Sequence, residues 1–348
     1  MQRPLRIGVL IACYDYERYV VDALDSVIAQ SRPADEIIFV DDGSTDRSAA
    51  IVEERYGDRV LLIRQANAGQ TAALRHGFAL STADVIQLLD ADDRLLPGAL
   101  GAIERVWHDR TSKAQFDLEV IDAEGARLGR QFCRFPAGYD AAAAARDFGR
   151  TGTYPWPVTS GNAYARTFLA QVIDEPTPVS LDGVLNTLAP LYGRVETIVE
   201  PMGEYRIHGA NKSHEDHTRS FAKPQFARRI EIRRAEFALL DAHRIMLDRS
   251  APPEDPLDHE VAFVNYRMIA RRIGEPVSGG DPAGRFRLWK RGIILGLRDG
   301  GGISQRLSHI GWFTALLLAP ERLVRLLVDI RYGRAVIRQH VKRALRWR

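Results

Sequence analysis

The chain has 348 residues, of which 45% are hydrophobic and 27% charged, and its formal net charge is +3. These values are ordinary for a globular protein that buries a core. The charge is uneven, because residues 321–348 hold nine Lys and Arg against two acids, a net +7 that leaves −4 for residues 1–320. This distribution argues against a nucleic-acid-binding surface on the main part of the chain.

The cysteine content and the apolar runs bear on the compartment. The two cysteines, Cys13 and Cys133, have no spacing that predicts a zinc site or a disulfide framework, which favours a reducing cytoplasm. The first residues do not resemble a signal peptide. The apolar run 310–319 is shorter than the ~18 residues that a membrane span requires. We therefore expect a cytoplasmic protein.

The first hundred residues alternate between short apolar runs and stretches with helical spacing of apolar residues. This alternation is typical of βαβ units and predicts an α/β fold with a doubly wound, mostly parallel sheet. The strands are predicted at 6–13, 36–41, 60–63 and 84–89, and the helices at 17–30, 46–56 and 68–80.

Beyond these units the rhythm changes, and the last third of the chain has a helical pattern. We expect a first domain at 1–215, with halves at 1–100 and 101–215, followed by a helical C-terminal region at 216–348. The later helices are predicted at 96–109, 141–148, 182–191, 226–247 and 260–273, a hairpin at 116–132, a strand at 194–200 and a linker at 274–284.

Acidic side chains follow three of the predicted strands. Tyr14 and Asp15 end the first strand, the run 41–46 ends the second, and the run 90–93 ends the fourth. Ligands of open parallel sheets bind at the carboxyl ends of the strands. Carboxylates there could hold Mg²⁺ or Mn²⁺, and such a cation neutralises the charge of a departing diphosphate. The sequence therefore predicts a site for a nucleoside diphosphate and a divalent cation.

Each motif also has a simpler explanation. The run 41–46 could be a strand-to-helix turn, with Gly43 at the bend and Ser44 or Thr45 as the helix cap. The run 90–93 could be a solvated turn, and Tyr14 could belong to the core. Their joint occurrence at successive strand ends favours one shared site.

The runs 7–14, 40–46, 67–69 and 89–93 together resemble family 2 glycosyltransferases with the GT-A fold. The resemblance is close over about residues 5–100 and looser to about 213. It implies an inverting enzyme that takes its sugar from a nucleotide-sugar donor and uses Mg²⁺ or Mn²⁺. The first domain, 1–215, would then be the catalytic domain, with a nucleotide-binding half at 1–100 and an acceptor half at 101–215.

The resemblance also implies roles for single residues. Tyr14 and Asp42 would hold the nucleobase, Asp90 would contact the ribose or support its motif, and Asp92 would bind the metal. Arg75 would approach the diphosphate. Position 15 departs from the family, which commonly has Asn there. The donor-binding residues implied in this way are Ala12, Tyr14, Asp15, Asp42, Arg75, Asp90 and Ala91.

Three later segments extend the resemblance. The segment 159–162 resembles an acceptor-side segment. The segment 180–183 lies where the family often has an acidic pair, of which only Asp182 is present, and we assign it as the catalytic base. The segment 205–213 implies that His208 completes the metal site. The simpler explanations are a helix N-terminal acid for Asp182 and a loop histidine for His208.

Three other functions are weighed against glycosyl transfer. A sugar nucleotidyltransferase would carry a Gly-rich loop after the first strand, and a dehydrogenase would carry G-x-G-x-x-G there, but residues 12–17 contain no glycine. A non-catalytic nucleotide-sugar-binding module of the same fold would not need Asp92, Asp182 and His208. The expected donor is a nucleotide sugar, above all a UDP-sugar. The expected acceptor is a glycan or a lipid-linked molecule in polysaccharide or glycolipid assembly, and no nucleic-acid partner is expected.

The residues from about 303 onward interleave apolar side chains with arginines. Such helices could lie on an anionic membrane surface, at the inner face of the cell membrane. They could equally pack on the catalytic domain with their arginines in water, because periodicity alone does not separate the two.

Overall fold

The computed structural model describes residues 3–175, 181–208, 226–251, 255–298 and 302–332. It divides the chain into two compact units. The first contains the residues up to Gly149, Tyr154–Ile207 and Leu239–Ser250, and the second contains Arg150–Thr153, His208–Ala238 and the residues from Ala251 onward. The expected domain boundary at 215 lies outside the described residues.

The secondary-structure elements are numbered in chain order. The strands are β1 Ile7–Cys13, β2 Glu36–Asp41, β3 Leu61–Arg64, β4 Val85–Asp90, β5 Arg94–Leu95, β6 Thr111–Ile121, β7 Arg127–Phe132, β8 Asn162–Ala165 and β9 Arg194–Arg206. The helices are α1 Val20–Ile28, α2 Ser48–Tyr56, α3 Gln70–Leu80, α4 Ala99–Val106, α5 Ala141–Thr151, α6 Arg166–Val172, α7 Leu181–Tyr192, α8 Phe226–Met246, α9 Val261–Ile273, α10 Arg285–Arg298, α11 Ile303–Leu318 and α12 Glu321–Tyr332.

The described strands form one sheet in the order β3-β2-β1-β4-β8-β6-β9-β5, with β7 paired to β6. The first four strands of this order are parallel, and helices connect them, which confirms the predicted βαβ units. The other half is mixed. Strand β8 is antiparallel to both β4 and β6, whereas β9 is parallel to β6 and antiparallel to β5. The predicted mostly parallel arrangement therefore holds for the first half of the sheet.

Burial on both faces explains why β1 is a continuous apolar run. Helix α1 covers it with a stripe of buried residues that includes Leu24 and Val27. Helix α3 approaches so closely that a Cβ on Gly77 would collide with Leu10. In register, Ala12 pairs with both Val40 and Asp90, so the strands of the predicted site end side by side.

The second unit is built from helices, and buried arginines connect them. Arg267 donates to Asp258 at 2.7 Å and to Asp281 at 2.8 Å, which fixes the predicted linker 274–284 against α9. Arg233 of α8 pairs with Glu236 and Glu260. Among the described residues, no helix has the length and apolarity needed to cross a membrane.

Candidate active site

Asp15 joins the loops that follow β1 and β2. Its backbone N–H donates to Ser44 Oγ at 3.0 Å, and its Oδ1 accepts from the Thr45 N–H at 2.6 Å. Its φ of 58° is left-handed, a conformation that Asn and Asp tolerate better than most residues. The departure from the family's Asn therefore keeps the backbone conformation and adds a charge at the rim of the site.

Asp42 is buried, and its carboxylate organises the loop 65–69. Oδ1 accepts from Gln65 Nε2 at 2.8 Å and from the Ala68 N–H at 2.9 Å, and Oδ2 accepts from the Gly69 N–H at 2.8 Å. A carboxylate with three donors is held firmly by the protein. Its contact with a nucleobase stays a prediction, and its observed partners lie in this loop.

The acidic run 90–93 is concentrated and partly buried. Asp90 accepts from Gln70 Nε2 at 2.7 Å, and Asp93 accepts from Ser160 Oγ at 2.5 Å and from the Arg206 N–H at 2.8 Å. Burial raises the pKa of Asp93 well above its ordinary value, and the negative charges of Asp92 and Asp90 raise it further. Carboxylate oxygens are ligands that Mg²⁺ and Mn²⁺ prefer, and a divalent cation beside Asp92 would offset this concentration of negative charge.

Arg206 fixes the backbone of this acidic run. Its side chain is only 1% exposed, and its Nε donates to the Asp92 carbonyl at 2.7 Å. Nη2 donates to Asp22 at 2.8 Å, and the guanidinium stacks over Tyr19. This role is not evident from the sequence, although Arg206 lies in the same segment, 205–213, as His208.

The segment 159–162 also supports the acidic run. Ser160 Oγ accepts from the Asp90 N–H at 3.1 Å besides donating to Asp93. Gln87 of β4 donates to the Ser160 carbonyl at 2.9 Å. The segment predicted to lie on the acceptor side therefore holds the acids in place.

Two tyrosines, Tyr14 and Tyr16, follow β1 at the edge of the sheet where β1, β2 and β4 end. Tyr14 is 39% exposed, as a side chain that stacks on a base would need to be. Burial raises the pKa of Tyr16, and the charges of Asp92, Asp90 and Asp93 raise it further, so Tyr16 faces the acidic run.

Two predicted donor-site alanines, Ala12 and Ala91, have little side-chain surface to offer. Ala12 is half-buried in β1, and Ala91 is 1% exposed. Any contact that they make with a donor would come from their backbone.

Arg75 has partners within the first unit. Its Nε donates to the Ile173 carbonyl at 2.7 Å, and its Nη2 donates to the Glu175 carbonyl at 2.8 Å. Its approach to a diphosphate stays a prediction, and it would exchange these bonds for phosphate oxygens.

Asp182 is the second residue of α7, and its Oδ1 accepts from Asn186 Nδ2 at 2.8 Å. Ser180, the first residue of the segment 180–183, lies outside the described residues. His208 is the first residue of its segment in the second unit, and residues 209–213 also lie outside the description. In the described ranges, no group of three or more His, Cys, Asp and Glu is arranged to hold a metal ion. The assignments of Asp182, Asp92 and His208 stay predictions.

The sequence of this chain is similar to those of known glycosyltransferases. Residues 8–157 match the sequence model of glycosyl transferase family 2. An uncharacterised glycosyltransferase of Nostoc, alr2836, is 35% identical over 217 residues, which are 60% of this chain and 66% of that protein. The succinoglycan biosynthesis protein ExoU of Rhizobium meliloti is 34% identical over 29% of this chain and 30% of its own length. The chain thus spans less than two thirds of these relatives.

The solved structure of the Pyrobaculum calidifontis mannosyltransferase PcManGT, in complex with GDP-Man and Mn²⁺, has a similar fold. Its TM-score is 0.52 at 16% identity, and the match covers 94% of this chain and 88% of that one. Together, the fold and the acids at the strand ends define the GT-A class of glycosyltransferase folds. The match to glycosyl transferase family 2 over residues 8–157 confirms the resemblance found in the sequence.

Proposed function

We propose that the chain is an inverting glycosyltransferase that moves a sugar from a nucleoside diphosphate to a hydroxyl acceptor. The observation that carries this proposal is the convergence of the loops after β1, β2 and β4. Asp15 accepts a hydrogen bond from the loop after β2, and Asp42 accepts one from the loop before α3. Gln70 of α3 donates a hydrogen bond to Asp90. One rim thus presents an exposed aromatic ring beside a row of carboxylates.

Asp92 and His208 would hold Mg²⁺ or Mn²⁺ together with phosphate oxygens of the donor. The cation would supply neutralisation of the charge that develops on the departing diphosphate. Arg206 contributes by fixing the Asp92 backbone from behind. Because Arg206 is buried and its guanidinium is already hydrogen-bonded, we assign it to supporting the acidic run and not to binding the donor.

Asp182 would accept the proton of the acceptor hydroxyl as that oxygen attacks the anomeric carbon. The attack would come from the face opposite the leaving diphosphate, so the configuration would invert. The helix-start position of Asp182 favours its negative charge, because the α7 N-terminus carries a partial positive charge.

A panel of UDP-, GDP- and dTDP-sugars with Mn²⁺ tests the proposal. We expect one nucleotide class to raise the melting temperature, since ligand at a hundred times its Kd adds about 2.7 kcal/mol. The same class should be hydrolysed slowly without acceptor. Binding without turnover on any acceptor would instead support a non-catalytic module. Pyrophosphate release from a nucleoside triphosphate and a sugar phosphate would support a nucleotidyltransferase.

We further propose peripheral contact with an anionic membrane surface, where a lipid-linked acceptor for polysaccharide or glycolipid assembly would lie. Helix α12 packs Val324 and Val328 inside the second unit and exposes Leu323, Leu326 and Ile330. Exposed leucines beside arginines are typical of helices that lie on membranes. The location proposed is the cytoplasmic face of the cell membrane.

Vesicle co-sedimentation tests this contact. We expect the full chain to pellet with phosphatidylserine-containing vesicles more than with phosphatidylcholine alone. The variant Leu326→Glu should pellet less, whereas Leu61→Glu, an equally exposed leucine on β3 of the first unit, should pellet like the wild type. Equal pelleting of Leu326→Glu and the wild type would contradict the contact.

A further inference from the structure

Strand β6 buries a lysine completely. Lys113 is 0% exposed, and its Nζ donates to Gln115 Oε1 at 2.8 Å, to Tyr154 Oη at 3.2 Å and to Asn186 Oδ1. Its charge also lies 5.1 Å from the centre of the Tyr154 ring. Lysine is among the residues least often buried in this way, and it is buried only when it is paired.

Asn186 connects this lysine to Asp182. It follows Asp182 by one helical turn on α7, and its Nδ2 donates to the Asp182 Oδ1 at 2.8 Å and to the Asp182 carbonyl at 2.9 Å. An ammonium only donates and a carboxylate only accepts, so the amide is held with its oxygen toward Lys113. The Tyr164 hydroxyl donates to the same amide oxygen at 3.2 Å and holds it in the same orientation.

Burying this charge is costly for the fold. Burial lowers the pKa of Lys113 to about 7, against the opposing effect of the negative charge of Asp182. The titratable groups that face it are Asp182 of α7, Cys133 after β7, Tyr154 before β8 and Tyr164 of β8. Well-packed apolar residues often replace buried charges with a gain in stability. The network is therefore better explained by what it does to Asp182 than by stability.

We propose that Lys113 is a positioning residue for Asp182, and that it acts through the Asn186 amide to orient the carboxylate and favour its ionised form. Lys113 lies in the interior and contacts neither substrate. The inference rests on the proposed role of Asp182 as the base. It adds that the proposed base depends on the positive charge of Lys113 on β6, which acts through the side-chain amide of Asn186.

Two variants separate positioning from packing. Lys113→Met keeps an unbranched side chain that is only one heavy atom shorter, and it removes the charge. Asn186→Asp keeps the acceptor for Lys113 but places a carboxylate where Asp182 had a donor. Ser112→Ala is the matched control, because Ser112 is the buried neighbour on β6 that donates to the Ala189 carbonyl of α7 at 2.8 Å.

The kinetic experiment measures kcat, donor KM and the pH profile of kcat with the donor found in the panel. We expect both variants to lower kcat at least about tenfold, with donor KM within about twofold, because only the proton-transfer step is affected. The acid limb should move to higher pH, because loss of a positive neighbour or gain of a negative one favours the protonated carboxyl. Ser112→Ala should move neither kcat nor the acid limb.

The possible outcomes separate a failure of this inference from a failure of the proposed glycosyltransferase function. If the wild type transfers sugar and Asp182→Asn does not, but Lys113→Met and Asn186→Asp behave like Ser112→Ala, the inference is overturned and the proposed function stands. If Asp182→Asn remains active, the base assignment and the inference are both overturned. Should Lys113→Met fail to fold, Asn186→Asp decides alone, because it leaves the lysine paired.

Discussion

Replacement of Asp182 by Asn should remove most sugar transfer and leave donor binding intact. The amide has the shape of the carboxylate but cannot accept the proton of the acceptor hydroxyl. A positioned general base contributes about 10²–10⁴-fold to a rate, so we expect kcat to fall by that factor. Donor KM should change little, because Asp182 acts on the acceptor. Steady-state kinetics together with calorimetric titration of the donor nucleotide would measure both quantities.

The control for this variant is an acid that begins another helix. Asp140 precedes α5, and its Oδ1 accepts from the Ala143 N–H at 2.8 Å. Asp140→Asn tests the simpler explanation, in which an acid only favours a helix start, an effect of about 0.3–1 kcal/mol. We expect Asp140→Asn to keep full activity. Turnover by Asp182→Asn at nearly the wild-type rate would remove Asp182 from the mechanism.

Replacement of Asp92 by Asn should remove the stimulation by Mn²⁺ together with the activity. Stabilisation of a developing charge by one positioned group is worth about 10²–10³ in kcat, and the loss should be at least that large. The fold should tolerate the change, because the Asp92 carbonyl that Arg206 binds is retained. Removing one negative charge also relieves the repulsion that raises the pKa of Asp93.

The metal test needs a readout besides turnover. In the presence of the donor nucleotide, Mn²⁺ should raise the melting temperature of the wild type but not that of Asp92→Asn. Asp122→Asn is the control, because Asp122 also follows a strand, and its Oδ1 accepts from the Ala126 N–H at 2.8 Å. Metal-dependent turnover that persists in Asp92→Asn would exclude Asp92 as the ligand.

The sequence predicts the first half of the sheet well, because there the local pattern and the burial agree. Strand β2 has the predicted bounds 36–41, β1 begins one residue later than predicted, and β4 is shifted by one residue at both ends. Each of these strands is largely buried, so it appears as a mostly apolar run, with Gln87 as the polar exception inside β4. Their order in the chain then brings the acidic ends to one rim.

The second half of the sheet is harder to predict because its strands bury polar side chains. Strand β6 begins at Thr111 and not at 116, and its first residues include the buried Ser112, Lys113 and Gln115. These side chains find partners far away in sequence, and a pattern of apolar residues does not contain that information. Strand β8 has four residues, too few for a periodic signal, and its partners lie on β4 and β6.

In the site, too, the sequence reveals which residues are acidic but not which groups contact them. The sequence identifies Asp42 and Asp182 as acids in useful places, but it does not show that loop 65–69 and Asn186 hold them. Arg206 was overlooked because an arginine at the end of a strand is usually solvated. Only the fold brings its guanidinium against the acidic run of another strand.

The bonds of Arg206 also determine where the chain could be divided. The family match ends at residue 157, ahead of β8 and β9. A fragment cut there would lack Ser160 and the Arg206 N–H, which both donate to Asp93, and a buried acid left without such donors costs about 1–3 kcal/mol. The part of the chain that matches the family thus relies on β8 and β9 for these bonds, and a graft or chimera built from it would have to carry both strands along.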